Sequence, residues 1–246
     1  MGLLAIIGGS GFTSLPGLVP LETLAVETPY GATSASLIRG ELGRGEILFL
    51  PRHGADHRLP PHGINYRANL WALRAAGAEW VIGLAAVGGI TPLFAPQVLA
   101  VPDQIIDYTY GRAHTFYDGT SEGVEHVDFT EPYCESLRQA LIQTAARLDE
   151  PLIPRGTYGA TQGPRLESAA EILRCEQDGC DMVGMTGMPE AALARELGLC
   201  YACLAFVVNW AAGKSGSVIT MKEIEENLGL CVERVLSILK AVAARV

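Results

Sequence analysis

The sequence predicts an α/β fold: a single domain over residues 1–246, built on a mixed central β-sheet flanked by helices. Two observations lead there. Short apolar runs recur at Leu3 to Ile7, Glu46 to Leu50, Trp80 to Val87, Val98 to Val101, Asp181 to Met185 and Cys200 to Val208. Several have the unbroken hydrophobicity of strands covered on both faces. Between the runs lie helical patterns over Asn65 to Ala76, Pro132 to Leu148, Leu166 to Gln177 and Pro189 to Leu197. Alternation of the two kinds implies a sheet sandwiched by helices.

Each element has its own local reason. Leu3 to Ile7 ends in Gly8-Gly9-Ser10-Gly11, the form of a buried strand feeding a tight turn. The last helix is the clearest, because Ile224, Leu228, Cys231, Val232, Val235, Ile238, Leu239 and Val242 recur at three and four residues and make one apolar face. The polar stretch Gly111 to Thr130 reads as one long functional loop, with no repeat or low-complexity tract elsewhere.

Composition narrows the partners. Apolar residues make up 49% of the chain and charged residues 18%, which suits a compact enzyme rather than a disordered chain. A formal charge of −9, with scattered Lys and Arg, leaves no broad cationic surface for nucleic acid. A small anion still fits, since one Arg, one His and a few backbone N–H groups can bind phosphate inside an acidic protein. Met1-Gly2-Leu3-Leu4-Ala5-Ile6 lacks the basic flank of a signal peptide, Ile6 breaks a myristoylation signal, and no run approaches a transmembrane span. The expectation is a cytoplasmic protein without membrane contact. Of the six cysteines, Cys200 and Cys203 share a C-x-x-C spacing inside an apolar run, and they read as core thiols rather than a redox or metal pair.

Several motifs admit two readings. Gly8-Gly9-Ser10-Gly11 is either a structural turn or an anion cradle; as a dinucleotide fingerprint it lacks the third glycine. Gly213-Lys214-Ser215 lacks the upstream glycine of a P-loop, where Val208 stands. Arg52-His53-Gly54-Ala55-Asp56-His57 follows a strand at the carboxyl edge where α/β sheets carry their crevice, and Arg52 suits a bidentate phosphate contact. Metal binding by His53 and His57 is the rival, weakened by Gly54, Pro60 and Pro61 and by the missing Glu of a zincin motif. Glu167, after the turn Thr161 to Leu166, is either a ligand contact or a first-turn helix Glu.

Taken in order, five stretches resemble the trimeric purine nucleoside phosphorylase family, and within it the methylthioadenosine phosphorylase branch. They are Gly8-Gly9-Ser10-Gly11, Arg52-His53-Gly54, Phe116-Tyr117-Asp118-Gly119, Gly163-Pro164-Arg165 and Met185-Thr186-Gly187-Met188-Pro189-Glu190. The resemblance implies the nucleoside phosphorylase fold, a homotrimer, inorganic phosphate as co-substrate and no metal or organic cofactor. It also implies that Ser10, Arg52, His53 and Thr186 ligate phosphate with the backbone near Ala85 and Ala86, while Met185 lies against the ribose. Ala85 departs from the pattern, since family members commonly carry Ser, Thr or Asn there.

The base and the sugar follow from further departures. Adenine-using members carry two carboxylates where this chain has Asn209 and Ala211, on either side of Trp210. A carboxylate only accepts hydrogen bonds, whereas an Asn amide offers a donor to a 6-oxo group and an acceptor to a protonated N7. Glu167 agrees, because 6-oxopurine members place Glu there to accept N1–H. Mismatched bases leave buried polar groups unpaired, which supports strong discrimination. Inosine and guanosine phosphorylases use a His to bind the 5'-hydroxyl, but the matching stretch near Glu223 has none. Val218, Ile219 and Met221 suit an apolar 5'-methylthio group instead, and the resemblance to the methylthioadenosine enzymes implies that His126 lines this pocket from a neighbouring subunit. The expectation is phosphorolysis of 5'-methylthioinosine, with Asn209 and Glu167 stabilising the departing base. Its alternatives are an inosine and guanosine phosphorylase, a methylthioadenosine phosphorylase, and a catalytically silent nucleoside-binding protein.

Overall fold

The computed structural model describes residues 2–119 and 123–245. One 11-stranded mixed sheet organises them. In chain order the elements are β1 (Leu3–Gly8), β2 (Leu18–Leu24), β3 (Leu37–Leu42), β4 (Gly45–Pro51), α1 (Tyr66–Ala75), β5 (Ala78–Gly89), β6 (Leu99–Ala100) and β7 (Gln104–Asp107). There follow α2 (Glu135–Arg147), β8 (Leu152–Ile153), β9 (Thr157–Ala160), α3 (Ala169–Gln177), β10 (Met182–Gly184), α4 (Gly187–Glu196), β11 (Cys200–Trp210) and α5 (Met221–Ala243). The main path runs β2-β3-β4-β1-β5-β10-β9-β7, with β11 paired to β5 and β6, and β8 to β6. The pairs of β1 with β4 and β5, and of β11 with β5, are parallel, whereas β2 and β3 add antiparallel strands at one edge.

The unbroken apolar runs are explained by two packed layers. Along β11, Tyr201, Cys203, Ala205 and Val207 join the core that includes Leu70 and Leu73 of α1 and Ala191 and Leu193 of α4. Ala202, Leu204, Phe206 and Val208 join the opposite core with Leu137 and Leu141 of α2 and Val235, Ile238 and Leu239 of α5. A strand alternates its side chains between faces, so a sheet buried on both must be apolar at every position. Phe206 is fully buried, and truncating such a ring to Ala costs about 3–5 kcal/mol.

Every strand and helix expected from the sequence forms, with small shifts at the ends. Five strands were not foreseen: β2, β3, β7, β8 and β9. β2 is an edge strand, mostly exposed and interrupted by Pro20, so it carries none of the buried-strand pattern. α3 starts at Ala169 rather than Leu166, because Ser168 caps it in a reciprocal capping box with Glu171. Glu167 therefore stands before the cap, and the first-turn acid is Glu171. Along 111–130 the described residues form neither helix nor strand, and residues 120–122 of that loop lie outside them.

The reading of Cys200 as a core thiol is corrected. Cys200 is bonded to Cys134, joining the start of β11 to the residue that precedes α2, with Cα atoms 5.0 Å apart. Residues three apart in a strand face opposite sides. Cys200 thus points to α2 while Cys203 points into the other layer, where it remains a free buried thiol. No helix among the described residues is long and apolar enough to cross a membrane.

Candidate active site

The site lies at the carboxyl ends of the parallel strands β1, β4, β5 and β11, and the sheet itself opens it. β1 pairs with β5 as far as Gly83, and β10 takes over that side of β5 only at Gly88. Leu84, Ala85, Ala86 and Val87 lack a strand on that edge. The Leu84 carbonyl is taken by Arg52 Nη1 at 2.5 Å. Since residues two apart along a strand present their backbone groups to the same side, the Ala86 amide faces the same gap. A cavity of about 270 Å³ occupies this gap, and it is lined by Ser10, Arg52, His53, Ala85, Ala86, Glu167, Met185, Thr186, Asn209, Ala211, Ile219 and Met221 among others. These residues come from turns and strand ends separated widely in sequence.

Arg52 forms the floor. It is 1% exposed, and its Nε and Nη2 donate to the two carboxylate oxygens of Glu190 at 3.0 and 2.7 Å. Tyr201 donates its hydroxyl to the same carboxylate at 2.8 Å. Burial by itself would lower the Arg52 pKa, but the Glu190 carboxylate raises it by more, so the guanidinium is a permanent cation. Of its five N–H groups, three are engaged, and one on each Nη is left for an anion. The Nε and Nη2 edge of Arg52 thus grips Glu190. Two glycines make room for the pair: a Cβ on Gly9 would lie 2.7 Å from Arg52 Nη1, and one on Gly83 would lie 2.7 Å from Glu190 Oε1.

His53 sits beside this ion pair, 7% exposed, with Nδ1 2.8 Å from the Leu59 carbonyl. Burial is the main cause that brings its pKa down to about 4, with the Arg52 charge adding to it. It is neutral at pH 7, so Nδ1 carries the proton given to Leu59 and Nε2 is an acceptor. The His53 and His57 rings are 4.6 Å apart, but no group of three or more His, Cys, Asp or Glu residues suited to a metal ion forms among the described residues.

One carboxylate, Glu167, and one carboxamide, Asn209, also line the cavity. Glu167 Oε1 accepts from the Thr161 hydroxyl at 2.5 Å, which aims the carboxylate and leaves its second oxygen available. Asn209 is 6% exposed and donates from Nδ2 to the Trp210 carbonyl at 2.7 Å. A bulge brings it there: Val207 pairs with Val87 and Asn209 with Gly88, so Val208 is the extra residue. Bulges re-aim side chains beside active sites.

Three expected site residues lie outside the cavity. Trp210 contributes its carbonyl to Asn209 but does not line the pocket. Val218 is 84% exposed and points to solvent, which corrects its placement in an apolar pocket; Ile224 of α5 lines that end instead. His126 is exposed on the loop and does not reach its own chain's cavity. Sequence reasoning missed the roles of Glu190 and Thr161. Glu190 had a signal in the apolar context Met188-Pro189-Glu190-Ala191-Ala192, where a buried carboxylate requires a partner.

An α/β sheet that opens at its carboxyl edge onto a fixed cation and a cavity lined by Glu and Asn side chains defines an enzyme site for small-molecule substrates. The chain belongs to the phosphorylase superfamily, whose profile matches residues 3–244. It is 56% identical over 228 residues to a probable S-methyl-5'-thioinosine phosphorylase of Pseudomonas syringae pv. tomato, covering 93% of each chain. It is 50% identical over 228 residues to a 6-oxopurine nucleoside phosphorylase of Pyrococcus furiosus, covering 91% of this chain and 85% of that one. Among solved structures, the methylthioadenosine phosphorylase of Schistosoma mansoni in complex with adenine superposes with a TM-score of 0.94 at 32% identity, over 99% of this chain and 91% of the other.

Proposed function

We propose that the protein splits S-methyl-5'-thioinosine with inorganic phosphate into hypoxanthine and 5-methylthioribose 1-phosphate. The observation that supports this reading is that Glu167 and Asn209 line the same cavity as Arg52. Arg52, Ser10, Thr186 and the Ala85–Ala86 backbone donate to phosphate, and neutral His53 accepts its P–OH proton through Nε2. The C1'–N9 bond breaks, its electron pair passes into the purine, and a phosphate oxygen bonds C1' as the oxocarbenium-like sugar forms. Fixed dipoles and charges aimed at that separation lower the barrier without reorganising.

Glu167 accepts N1–H of hypoxanthine through the oxygen that Thr161 leaves open. N7 takes up a proton from solvent as the bond breaks, and Asn209, whose Nδ2 is turned to Trp210, offers Oδ1 to that N7–H. Adenine has no N1–H to give Glu167, so this end favours a 6-oxopurine. Ile219, Met221 and Ile224 make the opposite end apolar, which favours methylthio over hydroxyl. Residues 1–246 act as one phosphorylase domain in a cytoplasmic homotrimer, in which His126 closes a neighbour's 5' pocket. The Cys134–Cys200 bridge runs against that location, since disulfides are rare in reducing compartments.

The test is chromatography of the base released from methylthioinosine, methylthioadenosine and inosine, each with and without phosphate. Phosphate-dependent cleavage of methylthioinosine in strong preference to the others is the expected result. A preference for methylthioadenosine would overturn the role given to Glu167 and Asn209, a preference for inosine that of the apolar end, and cleavage without phosphate the whole reaction.

A further inference from the structure

Arg112 sits on the long loop, yet it is 7% exposed and is not among the residues lining the cavity. Its surroundings are unusual for a buried cation. Among the described residues its side-chain hydrogen-bond partners are neutral oxygens. Nη1 donates to the Met185 carbonyl at 2.9 Å, the Met188 carbonyl at 2.5 Å and the Tyr66 hydroxyl at 3.3 Å. Nη2 donates to the Thr161 and Gln162 carbonyls at 3.2 and 2.9 Å, and Nε to Gln162 Oε1 at 3.2 Å. The Tyr66 ring lies against the guanidinium, 5.6 Å from centroid to Cζ.

These partners lie on two turns with different duties. β9 and β10 run parallel, and their ladder ends at Ala160 and Gly184 with one last bond from the Thr161 N–H to the Gly184 carbonyl, 2.8 Å. Beyond it the chains part. One leads from Thr161 to Glu167 and the base; the other carries Met185 and Thr186 to the start of α4, at the ribose and phosphate. With the ladder over, their carbonyls need other donors, and a buried one left unpaired is costly. A planar guanidinium suits this wedge because its fixed fork reaches two pairs of carbonyls at once, which a single ammonium cannot.

We propose that Arg112 is a positioning residue that clamps the base-selecting turn to the ribose- and phosphate-binding turn, so that one side chain sets both base choice and phosphate affinity. This rests on the function proposed above. The connection to the base is short: the residue whose carbonyl Arg112 holds, Thr161, aims Glu167 with its hydroxyl. On the other turn, Nη1 holds the carbonyls that bracket Thr186 and Gly187.

Steady-state kinetics of Arg112→Lys and Arg112→Ala test the clamp, with thermal unfolding as the check on folding. The expected result is a fall of about 10- to 100-fold in kcat/KM, the scale of a misplaced binding group. KM for phosphate should rise, the preference for methylthioinosine over methylthioadenosine should narrow, and added guanidinium should restore part of the Arg112→Ala turnover. A merely structural residue would lower the melting temperature while leaving the constants of the folded fraction alone. If Arg112→Lys does not fold, Gln162→Met removes only the side-chain bonds to Arg112 Nε and the Tyr110 N–H, and should move phosphate KM and base preference together by a few-fold. Unchanged phosphate KM and base preference in a folded variant would overturn the clamp. Failure of the proposed function would show already in the wild type, whereas failure of the clamp shows only in the variants.

Discussion

Two parts of the cavity lining are built in opposite ways. Arg52 and Glu190 are each 1% exposed and hold one another through two bonds, with Tyr201 and the Leu84 carbonyl completing the set. Met221 is 65% exposed and Ile219 is half-buried, where the chain enters α5. The contrast matches what the proposed reaction asks of each part. An anion demands a cation whose desolvation has been met in advance by fixed partners. A methylthio group demands only apolar surface, which needs no fixed partners.

The largest expected effect comes from breaking the rigid end. Glu190→Gln leaves the Arg52 charge buried without its counter-ion, and should cost about 3–5 kcal/mol in denaturant unfolding together with loss of phosphate-dependent turnover. A variant of wild-type stability would show that the pair contributes little.

A second, smaller effect sharpens the same point. His53 is held neutral with a pKa near 4, below the ordinary value of 6.5. The unfolded chain therefore binds one more proton between these pH values, and stability falls as pH drops from 6.5 towards 4, by about 3 kcal/mol in total. Thermal unfolding without phosphate, compared between wild type and His53→Asn, reads this directly. A variant as acid-sensitive as the wild type would assign the loss to other groups.

The smallest effect belongs to the open end. Met221→Ala should change stability by no more than about 0.5 kcal/mol, as surface substitutions usually do. It should raise KM for methylthioinosine severalfold, with little change for inosine. Equal changes for both substrates would remove Met221 from the recognition of the methylthio group.

Legibility in the sequence followed locality. Continuous apolar runs in β1, β4, β5 and β11 and the periodic face of α5 were readable because burial leaves a period in the chain. β2 and β9 were not, since an exposed edge strand and a four-residue strand rich in small side chains leave none. The motifs brought Arg52, Thr186, Glu167 and Asn209 to one cavity, but not the manner of their holding.

What the sequence determined by itself was the doubly covered sheet, the carboxyl edge as the place of the site, and the residue types gathered there. Tertiary structure alone decided that the Arg52 fork closes on Glu190, 138 residues away, that Cys200 joins Cys134 rather than Cys203, and that Arg112 bridges two turns. It also turned Val218 outward and set Asn209 by a one-residue bulge. Periodicity records which face of an element is buried. Which distant group meets a buried charge depends on where the packed elements bring their ends, and no local pattern carries that.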